Sequence, residues 1–131
     1  MDDIDTKLLG MLKKDSRRSF VTMAEQLGVT EGTVRNRVKE MMQAGEIKRF
    51  TIKTKAGMEA LVFVKAQRTN LRGIVQELEK IADDLYEISG DYDIVVRIEA
   101  DSLKGLNEKV DSIREIKGIA ATSTAVKLAQ K

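Results

Sequence analysis

Apolar side chains recur at helical spacing at Ile4, Leu8, Leu9 and Leu12, with Asp2, Asp3 and Asp5 ahead of them and Lys13 and Lys14 behind. Acids at the start and bases at the end complement the helix dipole, so this stretch predicts a first helix. Asp15-Ser16-Arg17-Arg18 reads as a turn. Ser19 is placed to cap a short helix over 20–27, with Val21, Ala24 and Leu27 expected to face inward, and Gly28 supplies the left-handed exit that ends it. Thr30 caps a third helix over 31–44, which stops at Gly45. Its apolar stripe is Val34, Val38 and Met41; the other side carries Gly32, Asn36, Lys39 and Gln43, flanked by Thr33 and Arg35. Residues 47–54 alternate loosely and include β-branched side chains, which predicts a strand or hairpin, the wing of a winged helix-turn-helix.

The period then changes. A strand is expected over 60–66, then a helix capped by Asn70 with Ile74, Val75, Leu78 and Ile81 inward, and a short strand over 85–89. The turn Gly90-Asp91-Tyr92-Asp93 leads to a strand over 94–100, with Ile94, Val96 and Ile98 on one face. Asp101 can cap a helix bearing Leu103, Leu106, Val110 and Ile113; Gly118 ends it and a last strand covers 119–128. Strand-helix-strand occurs twice, the order of a ferredoxin-like βαββαβ sheet with both helices on one face. The chain is thus expected to be α+β: a winged helix-turn-helix with its linker over 1–57 and a ferredoxin-like domain over 58–131. On the uncovered sheet face, Ala60, Val62, Val95 and Ala121 are expected, too apolar to leave in water, so pairing of two sheets in a homodimer is the simplest solution.

Composition narrows the chemistry. The 131 residues are 42% hydrophobic and 34% charged, and no uncharged stretch approaches the ~20 residues that span a bilayer. With an acidic start running straight into a helix, no signal or transit peptide is visible, and a cytoplasmic protein without membrane contact is expected. The absence of Cys and His removes disulfides, thiolate zinc sites and histidine-based triads, so neither metal nor cofactor is expected. Net charge is +2, but residues 1–57 carry 12 Lys/Arg against 8 Asp/Glu and residues 58–131 carry 11 against 13. Between 33 and 55, seven cations face only Glu40 and Glu46, which suggests a polyanion contact, although a solvated face has the same composition.

A short helix, a Gly-Val-Thr turn and a capped helix with a polar outer face make the geometry that enters a DNA major groove. The first turns of the third helix reach furthest, so Glu31, Gly32, Thr33, Arg35 and Asn36 are candidates at the base edges, with the capping Thr30 beside them among the expected DNA-binding residues. A Thr methyl can meet thymine, and an Asn amide can pair with adenine. Gly32 would let backbone approach the duplex closely, or is simply tolerated in a first turn. Arg37 and Lys39, with Lys48, Arg49, Lys53 and Lys55 on the wing, are candidate phosphate contacts. On pattern alone, a dimerisation or protein-binding domain is the lesser alternative for the three-helix unit.

The run Gly28-Val29-Thr30-Glu31-Gly32-Thr33-Val34-Arg35-Asn36-Arg37-Val38-Lys39-Glu40-Met41-Met42-Gln43-Ala44-Gly45-Glu46-Ile47 resembles the DNA-binding domain of the Lrp/AsnC (feast/famine) regulators. The second half resembles that family's βαββαβ effector and oligomerisation module, including its Ser89-Gly90-Asp91-Tyr92-Asp93 turn. The resemblance implies double-stranded DNA as partner, dimers formed through the sheet, octamers of four dimers in many members, and an amino acid or related metabolite bound between dimers. Carried to matching positions, the implied effector residues are Gly90, Asp91, Tyr92, Asp93, Thr122, Ser123 and Thr124. Carboxylates can take an ammonium group, and hydroxyls with turn amides can take a carboxylate. The same residues are also ordinary turn and strand formers. The join over 52–59 is shorter than is usual in that family, and the chain ends almost at the last strand.

Two other functions compete. An enzyme using Asp91 and Asp93 as an acid-base or metal pair lacks a histidine and a third ligand. An architectural protein that wraps DNA through phosphates, with little sequence preference and no effector, is the alternative to a sequence-specific, effector-modulated transcriptional regulator.

Overall fold

Each of the first three helices starts on a side chain that accepts from its own first turn. The computed structural model describes residues 1–129 and 131. Helix α1 (Asp3–Lys14) carries a reciprocal capping box between Asp2 and Asp5, α2 (Phe20–Leu27) is capped by Ser19, and α3 (Glu31–Gln43) by Thr30. Such caps contribute about 1 kcal/mol each. Gly28 adopts φ 69°, and its amide and that of Val29 donate to Glu25 and Ala24, closing the C-terminus of α2 in a Schellman motif. This turn fixes the angle at which α3 leaves α2.

The chain divides into two compact units, Met1–Lys53 and Thr54–Lys131. In the first, Leu8, Leu12, Met23, Ala24, Val34, Val38 and Met41 form the core. Met23 lies inward where Val21 was expected; Val21 is exposed and Leu27 half-buried. After α3 the chain turns through Gly45 at φ 80°, and Ile47 packs back on the core. Among the described residues, no strand forms between 47 and 57, so the expected wing hairpin is not present in this chain. The segment has no second β-rich run after a turn to pair with, and a lone strand leaves its backbone groups to water.

The second unit holds β1 (Met58–Ala66), a 3₁₀ turn (Arg68–Asn70), α4 (Leu71–Glu79), β2 (Asp84–Glu87), β3 (Ile94–Ala100), α5 (Leu103–Arg114) and β4 (Ile119–Val126). The strands order β2-β3-β1-β4, and every neighbouring pair is antiparallel. This is the ferredoxin-like sheet expected. Ala60, Val62, Val64, Ile94, Val96 and Ile98 pack with Ile74, Leu78, Leu106, Val110 and Ile113 in one core beneath α4 and α5. Ala60 and Val62 therefore belong to the covered face, correcting their expected place on the open one. The open face instead shows Leu61 and Phe63, with Val95 opposite Phe63 and Ala121 opposite Lys65. Two caps also differ from expectation. Ser102, rather than Asp101, caps α5 by accepting from the Gly105 amide, and Asn70 makes no capping hydrogen bond. Among the described residues, no helix is long and apolar enough to cross a membrane.

Candidate functional site

The buried stripe of α3 turns the rest of the helix outward. Val34, Val38 and Met41 are in the core, whereas Arg35, Asn36 and Lys39 are exposed together. Thr30 and Thr33 are linked through their hydroxyls at 2.9 Å, and the Thr33 amide donates to the Thr30 hydroxyl at 3.2 Å. A Cβ at Gly32 would touch only the Thr30 hydroxyl, at 4.0 Å, so internal packing does not demand glycine there. Arg35 pairs with Glu31 one turn back, both exposed. Such a surface pair contributes a few tenths of a kcal/mol, enough to position the guanidinium but not to lock it.

Arg37 has a different duty. Its guanidinium bonds the Asp2 carboxylate and lies 3.6 Å from Asp5, tying α3 to the start of α1. The Asp5 amide first, and then Arg37, holds the Asp2 carboxyl below its ordinary range. Arg37 is therefore engaged inside the unit and is poorly placed as the phosphate contact expected of it. Lys48, Arg49 and Lys53 are exposed on the extended segment after α3 in the first unit, and Lys55 is exposed at the start of the second.

The second set of residues lies around the C-terminal end of β1. Gly90, at φ 119°, and Asp91 are exposed. The Asp93 amide donates to the Val64 carbonyl, its carbonyl accepts from the Ile88 amide, and its carboxylate accepts from the Ala66 amide at 2.9 Å. Asp93 thus extends the β1–β3 ladder, leaving Asp91 as the exposed carboxylate of the turn. Tyr92 leans on Phe63 with ring centroids 5.8 Å apart, and the Lys65 ammonium donates to the Asp91 carbonyl at 3.3 Å.

On the other side of β1, Ser123 pairs with Phe63 on the open face, while Thr122 and Thr124 pair with Val64 and Val62 on the helix side. The Thr124 hydroxyl oxygen is buried without a hydrogen-bond partner among the described residues. The expected effector residues therefore split. Tyr92 and Ser123 share the face of Phe63, and the two threonines face the other way. Phe63 and Lys65 were missed from sequence, although Phe63 is one of only five aromatic residues and Lys65 is the charge that breaks an apolar strand. Among the described residues, no group of three His, Cys, Asp or Glu side chains is arranged to hold a metal.

A charge network crosses the open face from β4 to β2. Lys127 and Arg97 both bond Glu59, and Arg97 also bonds Asp84 and Glu99. Burial alone would lower the pKa of Arg97, but the hydrogen bonds that it donates to Asp84, Glu99 and Glu59 outweigh it and raise it. The hydrogen bond from Lys127, offset by burial and reinforced by Arg97, holds Glu59 below its ordinary 4.5. A carboxyl depressed in the folded state contributes stability that is complete above its unfolded pKa and is lost as pH falls through the folded value. The melting midpoint of the second unit, followed through its tyrosine band, is expected to drop on the acid side of 4.5, and Glu59→Gln to flatten that drop. Parallel curves for the two proteins would show that Glu59 is not the titrating group.

An AsnC-type helix-turn-helix domain model matches residues 1–42, and an Lrp/AsnC ligand-binding domain model matches residues 59–131. The chain is 33% identical over 131 residues to the HTH-type transcriptional regulator LysM of Saccharolobus solfataricus, covering 96% of this chain and 92% of that one. The Mycobacterium tuberculosis leucine response regulatory protein has the same fold, with a TM-score of 0.80 at 20% identity over 99% of this chain and 93% of that one. E. coli AsnC superposes with a TM-score of 0.70 at 23% identity, over 99% and 92%. The helix-turn-helix and the βαββαβ sheet thus coincide with two domain models in one family's order, and the relatives so matched are regulators rather than enzymes. The chain belongs to the Lrp/AsnC family of transcriptional regulators.

Proposed function

We propose that the protein reads a specific DNA sequence with the first two turns of α3, as a homodimer whose assembly or affinity is set by an amino acid or related zwitterion. The observation that carries this reading is the outer face of α3: Arg35, Asn36 and Lys39 are exposed side by side on a helix whose other face is core. Arg and Asn are side chains that form bidentate pairs with bases. Thr30, Glu31, Gly32 and Thr33 set the approach of the helix N-terminus, and Lys39, Lys48, Arg49, Lys53 and Lys55 neutralise phosphates, with Arg37 supporting α3 from behind.

The dimer would form through the open sheet face, where Leu61 and Tyr86 are 42% and 58% exposed, and four dimers would make an octamer. The effector would sit at the turn, with Asp91 taking the ammonium group and Ser123, the Gly90–Asp93 turn amides and Tyr92 taking the carboxylate. Thr122 and Thr124 act from behind the strand. A leucine response is in the name of the structurally similar M. tuberculosis protein, which supports an amino acid as the effector class.

Selection from a pool of random duplexes, repeated in the presence of each of the twenty amino acids, tests both parts. A recurrent pseudo-twofold motif is expected, with its enrichment altered by one or a few amino acids and that response abolished by Asp91→Ala. Recovery of duplexes without a motif would favour the DNA-wrapping alternative. An effector response that survives Asp91→Ala would remove the turn as its site.

A further inference from the structure

The helix proposed to read bases carries little unpaired charge. Arg35 faces Glu31, and Arg37 faces Asp2 and Asp5, leaving Lys39 next to Glu40 in the chain. Duplex affinity depends chiefly on cations that displace counterions from phosphates, so the first unit must carry them elsewhere. They are gathered in one place. A cleft of about 590 Å³ opens between the C-terminal end of α1, the turn after it and the extended segment 46–53. It is lined by Lys13, Lys14, Arg17, Lys48, Arg49 and Lys53, against Asp15 and Glu46. Residues 1–53 as a whole carry eleven cations and eight carboxylates, so outside this cleft the unit is slightly acidic.

The local structure favours ligation rather than internal pairing. One oxygen of Asp15 accepts from the Arg17 amide at 3.0 Å and closes the turn. The ammonium groups of Lys13, Lys14, Lys48 and Lys53 have no ion pair among the described residues. Two of these lysines end α1, where cations answer the negative end of the helix dipole; that explains their sign but not the convergence of a second basic segment on the same cleft.

Resting on the reading of the protein as a duplex-binding regulator, we propose that this cleft extends the phosphate-binding surface of the 48–53 segment, with Lys13, Lys14 and Arg17 added to its grip on the DNA backbone. It supplies sequence-independent affinity, while α3 supplies discrimination. Half-exposed Phe50 in the same lining makes a single strand the rival ligand, since bases stack on aromatic rings. The duplex is favoured because the surface offers one ring against Lys13, Lys14, Arg17, Lys48 and Lys53.

The test uses the full chain and a random-sequence duplex of roughly four helical turns, titrated at several salt concentrations, with a single strand of the same length alongside. The triple variant Lys13→Gln, Lys14→Gln, Arg17→Gln is expected to lose affinity for the duplex at least about tenfold, with the salt slope shallower by about one per cation removed, roughly three in all. The charge-keeping variant Lys13→Arg, Lys14→Arg, Arg17→Lys is expected to retain the slope. A control that removes three exposed lysines elsewhere, Lys7→Gln, Lys104→Gln, Lys117→Gln, is expected to retain it too.

Duplex binding by the parent protein with an unchanged slope in the first variant overturns the cleft and leaves the regulator reading standing. Absence of salt-dependent duplex binding by the parent protein overturns both. An equal loss in the control triple assigns the effect to overall charge and overturns the cleft. Loss confined to the single strand overturns it in favour of the rival ligand.

Discussion

Leu8→Ala is expected to unfold the DNA-binding unit while leaving the sheet unit intact. Leu8 has no exposed surface and sits among only seven buried residues that hold three short helices together. Removing a buried leucine side chain to the β-carbon costs about 2–5 kcal/mol through lost transfer energy and the cavity left behind. A unit of this size has little reserve, because small domains bury a smaller fraction of their surface and total stabilities are only about 5–15 kcal/mol.

The two cores share no residue, and both tyrosines, Tyr86 and Tyr92, lie in the second unit. Far-ultraviolet circular dichroism should therefore lose the helical signal of α1 to α3 at a lowered midpoint, with the near-ultraviolet tyrosine band preserved. Duplex binding should disappear with the helices. Leu8→Met, which conserves volume, should cost less than about 1.5 kcal/mol and keep binding. A parental melting curve for Leu8→Ala would show that the helices collapse around the deletion. Simultaneous loss of the tyrosine band would contradict the independence of the two cores.

How much of this was legible beforehand follows from the range of each interaction. The caps at Ser19 and Thr30 and the exit at Gly28 act within four residues, and all three stand where the local pattern placed them. The covered face of β1 was harder, because residues 60–64 are apolar at every position and the alternation fixes no phase. Partners decide it: Ala60 and Val62 lie opposite Ile98 and Val96, which the helices cover. Asp101 and Ser102 are both good caps and adjacent, so only the path of the chain into α5 chooses between them.

Period two is enough to show that Ser123 cannot share a face with Thr122 and Thr124, a split that a single Thr-Ser-Thr motif hides. Other features lay beyond local reading. The Arg37–Asp2 bond joins residues 35 apart, and the capping of the Ala66 amide by Asp93 joins residues 27 apart. Neither leaves a mark in any short window. The same is true of the basic cleft, whose two sides are separated by the whole of α2 and α3 in the chain.

Asn36→Ala should separate reading from gripping. Asn36 is exposed in the second turn of α3, between Arg35, which is held by Glu31, and Arg37, which is held by Asp2. No intramolecular partner competes for its amide among the described residues. An Asn amide that donates and accepts against one adenine gives about 1–3 kcal/mol of discrimination against the wrong base, a factor of roughly five to more than a hundred in affinity. Because Asn carries no charge, its removal leaves counterion release untouched and should not change the salt slope.

The variant is expected to lose about five- to hundredfold on the motif recovered by selection and almost nothing on random duplex. Repeated selection with the variant should relax one position in each half-site. An equal loss on both duplexes would mean that Asn36 holds backbone rather than base. An unchanged affinity on both would move the reading surface to Thr33 and Arg35. In either case α3 would still be the exposed helix of a capped helix-turn-helix, but the assignment of sequence discrimination to its second turn would fail.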